Sequence, residues 1–199
     1  MLDPAINYPP PFSQEFNSYV QNWDVVIVWD KDHTMVDQHN VLRPNLENVI
    51  TDMVNKFPDW KHVLLTENTL DSIEEMFSNH ESLRHVFKML LCDDNYFSRN
   101  AVRKYLRTKG HWWPWGRKVR KERSRRKRRR VNDIFLSKKV ILIDDLRDGR
   151  VPEHSFCVTC KVWTAESKQL DEINWPFTIE ENVLKLLKNL YGYNPENII

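Results

Sequence analysis

The sequence has few cysteines and no long apolar run. Its 199 residues include three cysteines, Cys92, Cys157 and Cys160. An odd number of cysteines in a chain without a secretory signal argues against a disulfide framework. No apolar segment approaches the roughly 18 residues needed to span a bilayer, and no basic-then-apolar leader opens the chain. We therefore expect a soluble intracellular protein without membrane contact.

Acidic residues are almost absent from one segment, Arg117 to Arg130. It holds eleven Lys or Arg and one acid, Glu122. Of the 30 basic and 28 acidic residues in the chain, 19 and 27 lie outside this segment, which leaves the remainder with a net charge of −8. Because such a block cannot pack into a core and repels itself, the sequence predicts an exposed basic loop.

The basic loop predicts a binding surface for a phosphopeptide, a nucleic acid or an acidic partner, or else a nuclear localisation signal. A solvated loop without a partner is the alternative. Three neighbouring tryptophans, Trp112, Trp113 and Trp115, could stack on bases or anchor the loop to the core. The residues that we assign to substrate or nucleic-acid binding are Arg117, Lys118, Arg120, Lys121, Arg125, Arg126, Lys127, Arg128 and Arg129.

Short apolar runs alternate with amphipathic segments along the rest of the chain. Helices are predicted at Asn45 to Phe57, after a cap at Asn68 or Thr69, and at Ile179 to Leu190, where apolar residues recur every three or four positions. This alternation indicates an α/β fold with a mostly parallel sheet and helices on both faces. The predicted strands are Val25 to Trp29, His62 to Leu65, Val86 to Leu91, Lys139 to Ile143 and Phe156 to Trp163.

The length predicts a single domain over 23–199, preceded by an N-terminal arm over 1–22. A basic and aromatic insertion lies at about 95–131, before the last core strands. The insertion between Cys92 and Asn132 could form a small cover, but only about thirty residues separate Thr34 from Thr66, too few for a large cap over the end of the sheet. The site at this end is therefore expected to be open.

Three of the predicted strands end in polar residues. Asp30 and Asp32 follow the first strand, Thr66 follows the second, and Asp144 and Asp145 follow a later one. Ligands bind at the carboxyl ends of parallel strands, so these groups should converge, with Lys31 pointing elsewhere. Converging carboxylates repel unless a cation intervenes, and oxygen-only ligands suit Mg²⁺. The alternative for Asp30 is a turn cap.

These segments resemble the haloacid-dehalogenase superfamily. Asp-Lys-Asp-His-Thr at 30–34 resembles its first signature, Leu64-Leu65-Thr66 its second and Ile143-Asp144-Asp145 its fourth. Arg43-Pro44-Asn45-Leu46 resembles a segment of the subgroup that dephosphorylates the C-terminal domain (CTD) of RNA polymerase II and similar proteins. There is also a resemblance to the phosphatase-like nucleocapsid-assembly proteins of baculoviruses and related insect viruses, whose substrates are arginine-rich DNA-packaging proteins.

The resemblance implies a role for each strand-end residue. Asp30 is the implied nucleophile, Asp32 the general acid and base, and Thr66 the group that orients the phosphoryl. Thr34 braces the loop. The implied Mg²⁺ ligands are the Asp30 and Asp145 side chains and the Asp32 carbonyl, with Asp144 ligating or supporting.

The lysine of the family's third signature has no clear counterpart here. The family pattern is Lys-Asp-Leu, and the corresponding residues are Asn132-Asp133-Ile134. Arg130 would share a face with Asn132 on an extended stretch and could supply the charge. Lys127 and Lys138 are the other candidates, although Lys138 is also predicted to open a strand at the opposite edge of the sheet.

The resemblance implies a Mg²⁺-dependent phosphatase that acts on phosphoserine or phosphothreonine of a protein, such as a basic DNA-packaging or nuclear protein. One alternative is a non-catalytic protein of the same fold that binds nucleic acid or a capsid. Another is a phosphatase for nucleic-acid 3′-phosphates. A zinc site from Cys157, Cys160, His154 and Cys92 is disfavoured, because two cysteines three residues apart on a strand point to opposite faces. Buried thiols are predicted instead.

Overall fold

The computed structural model describes residues 8–9, 13–97, 99–108, 110–111, 116–120, 134–135, 137–145, 156–164 and 174–195. Five strands lie within these ranges: β1 (Val25–Asp30), β2 (Lys61–Leu65), β3 (Phe87–Leu91), β4 (Lys139–Asp144) and β5 (Cys157–Thr159). The α-helices are α1 (Gln14–Tyr19), α2 (Leu46–Lys56), α3 (Leu70–Asn79), α4 (Glu81–Arg84), α5 (Arg99–Thr108), α6 (116–120) and α7 (Ile179–Tyr191). A π-helical turn, Asp93–Phe97, precedes α5, and a 3₁₀ turn, Trp175–Thr178, precedes α7.

The five strands form one parallel sheet in the order β3-β2-β1-β4-β5. The register places Asp30 beside Leu65 of β2, and Trp29 beside Ile143 of β4. The residues that follow Leu65 and Ile143 therefore emerge next to Asp30. This register brings the polar ends of the central strands together at one edge.

Each face of the sheet is covered by a separate apolar cluster. Alternate residues of β1, including Ile27 and Trp29, face α2, α3 and α7. The residues between them, Val26 and Val28, face α1 and the segment 134–135. All four of these β1 side chains are fully buried, as expected for a parallel strand that is covered on both sides. The predicted α/β fold, with a parallel sheet between two helical layers, is confirmed.

The strand boundaries agree closely with the apolar runs, except for the last strand. The sequence predicts a strand from Phe156 to Trp163, and that extent is wrong because β5 ends at Thr159. Its partner β4 ends at Asp144, which pairs with Thr159, so the chain beyond Thr159 has no strand to pair with. Residues 160–164 instead pack against the loop that follows β1.

Part of the predicted N-terminal arm packs on the sheet. Phe16 of α1 is fully buried, with its ring 5.9 Å from that of Phe135. The Tyr8 hydroxyl donates a hydrogen bond to the Leu90 carbonyl at the far side of the sheet. None of the helices described is both long enough and apolar enough to cross a membrane.

Candidate functional site

Three carboxylates meet at the carboxyl end of the sheet. One oxygen from each of Asp30, Asp144 and Asp145 lies within 4.8 Å of the other two. Asp30 and Asp144 are buried, each 2% exposed, and Asp145 is half-buried. At this separation two carboxylates repel by about 3 kcal/mol at an effective dielectric constant near 20. The cluster therefore favours a bound cation.

Thr34 links two of the three aspartates, Asp30 and Asp145. Its hydroxyl donates to Asp30 Oδ2 at 3.1 Å and accepts from the backbone N–H of Asp145 at 2.9 Å. Thr34 is fully buried, so water does not compete for these bonds. It comes back to Asp30 because the chain turns tightly after β1, where the Met35 and Val36 amides both donate to the Lys31 carbonyl. The predicted bracing role agrees with these contacts.

Asp32 lies beside the cluster and is held by a different set of groups. Its Oδ2 accepts from the Thr66 hydroxyl, and its Oδ1 accepts from Asn68 Nδ2 at 2.8 Å. The Thr66 hydroxyl also accepts from the Asn68 backbone N–H. Asp32 keeps about a third of its side chain exposed (32%), so it can reach an incoming ligand. For Thr66 to contact a phosphoryl oxygen, as predicted, its bond to Asp32 must open.

Lys31 lies beside Asp32, which differs from the position predicted for it. It is predicted to point elsewhere, yet it is fully buried and its Nζ lies 3.3 Å from Asp32 Oδ1. The ammonium also donates to Asn40 Oδ1 at 2.6 Å and to Ser72 Oγ at 3.0 Å. Alternation holds only along an extended strand, and β1 ends at Asp30. The sequence did contain a signal for this contact, because Lys31 lies between Asp30 and Asp32 directly after a predicted strand.

The loop that follows β1 is fastened to the chain beyond β5. Arg43 is buried between two indole rings, with its guanidinium carbon 5.4 Å from the ring centroid of Trp163 and 4.7 Å from that of Trp175. It donates to the Lys161 carbonyl at 2.7 Å, and Trp163 Nε1 donates to the Val41 carbonyl. These contacts fix the position of the loop beside the aspartates.

None of the residues that the structure describes is confirmed as the cation that the resemblance implies in place of the third-signature lysine. Lys138 lies at the amino-terminal edge of the sheet, where its Nζ donates to the Gln21 carbonyl at 2.7 Å. That is the edge opposite the aspartates, so Lys138 is not a cation of this site. Arg130 and Lys127 lie outside the described residues. Among the described residues, a cation that does contact an aspartate of this site is Lys31, whose Nζ lies 3.3 Å from Asp32 Oδ1.

Only part of the predicted basic loop can be located. Arg117, Lys118 and Arg120 are exposed, as predicted, but they lie on helix α6 and not in a loop, because Val119 between them is buried and packs on α5. Trp112, Trp113 and Trp115 lie outside the described residues, as do the other assigned residues of the loop, Lys121, Arg125, Arg126, Lys127, Arg128 and Arg129.

Cys92 and Cys157 are buried thiols, as predicted, whereas Cys160 is only partly buried. Burial is the main cause that raises the pKa of Cys92 to about 11 and that of Cys160 to about 12, and burial also raises the pKa of Cys157. Arg43 is close to Cys160 and opposes its shift. Among the residues that the structure describes, the aspartate trio is the group with metal-site spacing, and no cysteine belongs to it. His154 lies outside the described residues.

A buried histidine supports the strand that carries Asp30. Trp29 Nε1 donates to His62 Nδ1 at 3.0 Å, and the two rings are stacked. His62 is 1% exposed, and desolvation, with smaller contributions from Lys88 and Lys61, lowers its pKa to about 3. The ring is therefore neutral at physiological pH. Because side chains alternate between the two faces of a strand, the alternation in β2 could have predicted that His62 lies on the same face of the sheet as Trp29.

The donor set fits Mg²⁺ by its chemistry. All three groups of the cluster are carboxylates, and hard oxygen ligands from a few aspartates are the usual protein contribution to a Mg²⁺ site. Soft thiolate or imidazole ligands, which would favour zinc, are not part of the cluster. The arrangement can hold a divalent cation beside one buried carboxylate, Asp30, and one partly exposed carboxylate, Asp32.

The chain is similar in structure to known proteins, although no sequence comparison identifies a relative. No protein-family model matches the chain, and no curated protein matches it. Among solved structures, the chain is similar to "The Structure of Fcp1, an essential RNA polymerase II CTD phosphatase", with a TM-score of 0.47 and 12% sequence identity. The match covers 89% of this chain and 52% of that one, so this chain spans about half the length of the solved protein.

Proposed function

We propose that this protein is a Mg²⁺-dependent phosphatase of the haloacid-dehalogenase type, with Asp30 as its nucleophile. The observation that carries the proposal is the convergence of Asp30, Asp144 and Asp145 at the carboxyl end of a parallel sheet. Asp32 beside them supplies a second carboxylate for proton transfer. A divalent cation held by the trio would neutralise charge on a phosphoryl group.

The reaction proceeds in two displacements. In the first, an Asp30 oxygen attacks phosphorus and the bond to the ester oxygen breaks. Asp32, which takes up a proton when its bonds to Lys31 and Thr66 open, gives that proton to the leaving alkoxide. In the second, Asp32 takes a proton from water as the water oxygen attacks phosphorus, and the bond to Asp30 breaks. Inorganic phosphate leaves, and Asp30 returns to a carboxylate while Asp32 is protonated again.

The proposed substrate is phosphoserine or phosphothreonine of a protein. The described residues between β1 and β2 form one loop and helix α2, without a separate cap domain over the aspartates. Asp32 is about a third exposed, so a group carried on a large molecule can approach it. Small metabolites usually bind in sites that enclose most of their surface.

Two substrates with different leaving groups test the assignment of both aspartates. Asp30→Asn should lower Mg²⁺-dependent turnover of para-nitrophenyl phosphate and of a phosphoserine peptide to the uncatalysed level. Asp32→Asn should lower kcat about 10²- to 10⁴-fold on the phosphopeptide. With para-nitrophenyl phosphate the first displacement should be largely retained, because nitrophenolate leaves without a proton. It should be seen as a burst of about one nitrophenolate per enzyme, followed by slow turnover because Asp32 also activates water in the second displacement. Asp24→Asn, an exposed aspartate at the opposite edge of the sheet, is the matched control.

Each alternative function gives a different result in this assay. Faster turnover of a 3′-phosphorylated oligonucleotide than of any phosphopeptide would assign the site to nucleic-acid ends. If the wild type exceeds Asp30→Asn on no substrate, the phosphatase proposal is wrong and a binding protein on the same scaffold remains.

A further inference from the structure

Helices α5 and α6 form a small amphipathic unit with its own apolar contact. Val102 and Leu106, one turn apart on α5, pack against Val119 of α6 in a cluster separate from the two sheet clusters. All three side chains are buried. The charged side chains of both helices are exposed outside this apolar contact, and together they form what we call the outer surface.

That outer surface is basic throughout. Arg99, Arg103 and Arg107 are exposed on α5 and follow one another at intervals of four residues, about 6 Å per step along the helix. The sequences of α5 and α6 contain no acidic residue. In the preceding turn, the Asp94 carboxylate accepts a hydrogen bond from the Leu70 backbone N–H of α3. The α6 contribution is Arg117, Lys118 and Arg120.

A cavity of about 140 Å³ lies between the two helices. Arg99, Arg103 and Arg120 line it together with Gly116 and Val119. The three arginines come from both helices, so the cavity joins the basic surfaces of α5 and α6. Arginine binds phosphate through two parallel N–H groups, so this combination suits a phosphate.

We propose that the outer surface of α5 and α6 binds the phosphate backbone of a nucleic acid, without reading its sequence. The cations are spread over two helices and do not converge on one point, which suits a chain of phosphates better than a single phosphomonoester. Contacts to phosphates through exposed Arg and Lys supply affinity without base specificity. This binding is independent of the phosphatase proposed above.

The test measures binding of the full chain to a labelled DNA duplex by fluorescence anisotropy at several salt concentrations. The variant is R99Q/R103Q/R107Q, and the control is K88Q/K185Q/K188Q, which removes three exposed cations from β3 and α7. The wild type should bind two unrelated sequences equally. The variant should bind at least about tenfold more weakly, and its slope of log affinity against log salt should fall by about 2 to 3, since each lost phosphate contact contributes about 0.9.

The control variant should bind like the wild type, and both variants should keep the wild-type unfolding temperature because all six positions are exposed. A wild type that does not bind DNA would overturn the proposal. Equal weakening in the two variants would overturn it too, since net charge alone would then explain binding. If an acidic peptide displaces the DNA at equal charge concentration, or a singly phosphorylated peptide binds while DNA does not, the partner is a protein and the nucleic-acid assignment is wrong.

Discussion

Removal of the Asp30 charge should abolish at least about half of the stabilisation that Mg²⁺ gives to the protein. Asp30 is one of three carboxylates whose oxygens lie within 4.8 Å of one another. A ligand at a hundred times its Kd stabilises the folded state by about 2.7 kcal/mol. For a chain of this size that corresponds to a rise in Tm of roughly 5 to 11 °C.

Asp30→Asn replaces a charged ligand with a neutral one and should weaken Mg²⁺ binding at least about tenfold, or about 1.4 kcal/mol. At the same Mg²⁺ concentration the rise in Tm should then be smaller by at least about 3 to 6 °C. Thermal unfolding with and without Mg²⁺ measures both values, and it does not depend on knowing the substrate.

Asp24→Asn is the control for this experiment. Asp24 pairs with Lys139 at the amino-terminal edge of the same sheet, where its side chain is 62% exposed. Exposed pairs contribute about 0 to 1 kcal/mol, so this variant should show the full Mg²⁺ effect. A wild type that Mg²⁺ does not stabilise, or an Asp30→Asn variant that it stabilises equally, would refute the metal site.

Two further predictions concern stability. Asp32→Asn leaves the buried Lys31 ammonium without its carboxylate and should lower the free energy of urea unfolding by a few kcal/mol. The loss should be less than the roughly 3 to 5 kcal/mol of a fully buried pair, because Asp32 is partly exposed. Adding Lys31→Met should recover much of the loss, and a double variant no more stable than Asp32→Asn alone would contradict this. His62 has a pKa of about 3 in the folded protein, below its value in the unfolded chain. Between these two pKa values the unfolded chain binds more protons than the folded protein. The free energy of unfolding should therefore fall by about 1.4 kcal/mol for each pH unit below about 6.5. His62→Gln should remove this part of the pH dependence, whereas His85→Gln, at an exposed position, should not.

Local pattern was sufficient to predict the strands of the sheet. The run Val25 to Trp29 is continuous and apolar because β1 is covered on both faces, and the structure extends it by one residue, Asp30. The sequence also predicts that Asp30 and Asp144 end parallel strands. Once these strands are neighbours, the carboxylates must meet.

The sequence could not predict features that depend on what the chain packs against. The end of β5 at Thr159 is set by the end of its partner β4, which no residue near Thr159 encodes. Likewise, the burial of Arg43 depends on Trp163 and Trp175, which are far away in the chain. Contacts between distant segments have no local pattern that periodicity can detect.

By itself, the sequence determined the α/β class, the parallel strands and the aspartates at their carboxyl ends, because hydrophobic periodicity and strand-end polarity are local properties. Only the tertiary structure decided how those groups interact. It placed Lys31 beside Asp32, linked Asp30 to Asp145 through Thr34, and selected the opposite edge of the sheet from the two positions predicted for Lys138. The physical reason is that a side chain's direction beyond a strand end is set by long-range packing and hydrogen bonds, and the alternation of the strand no longer controls it.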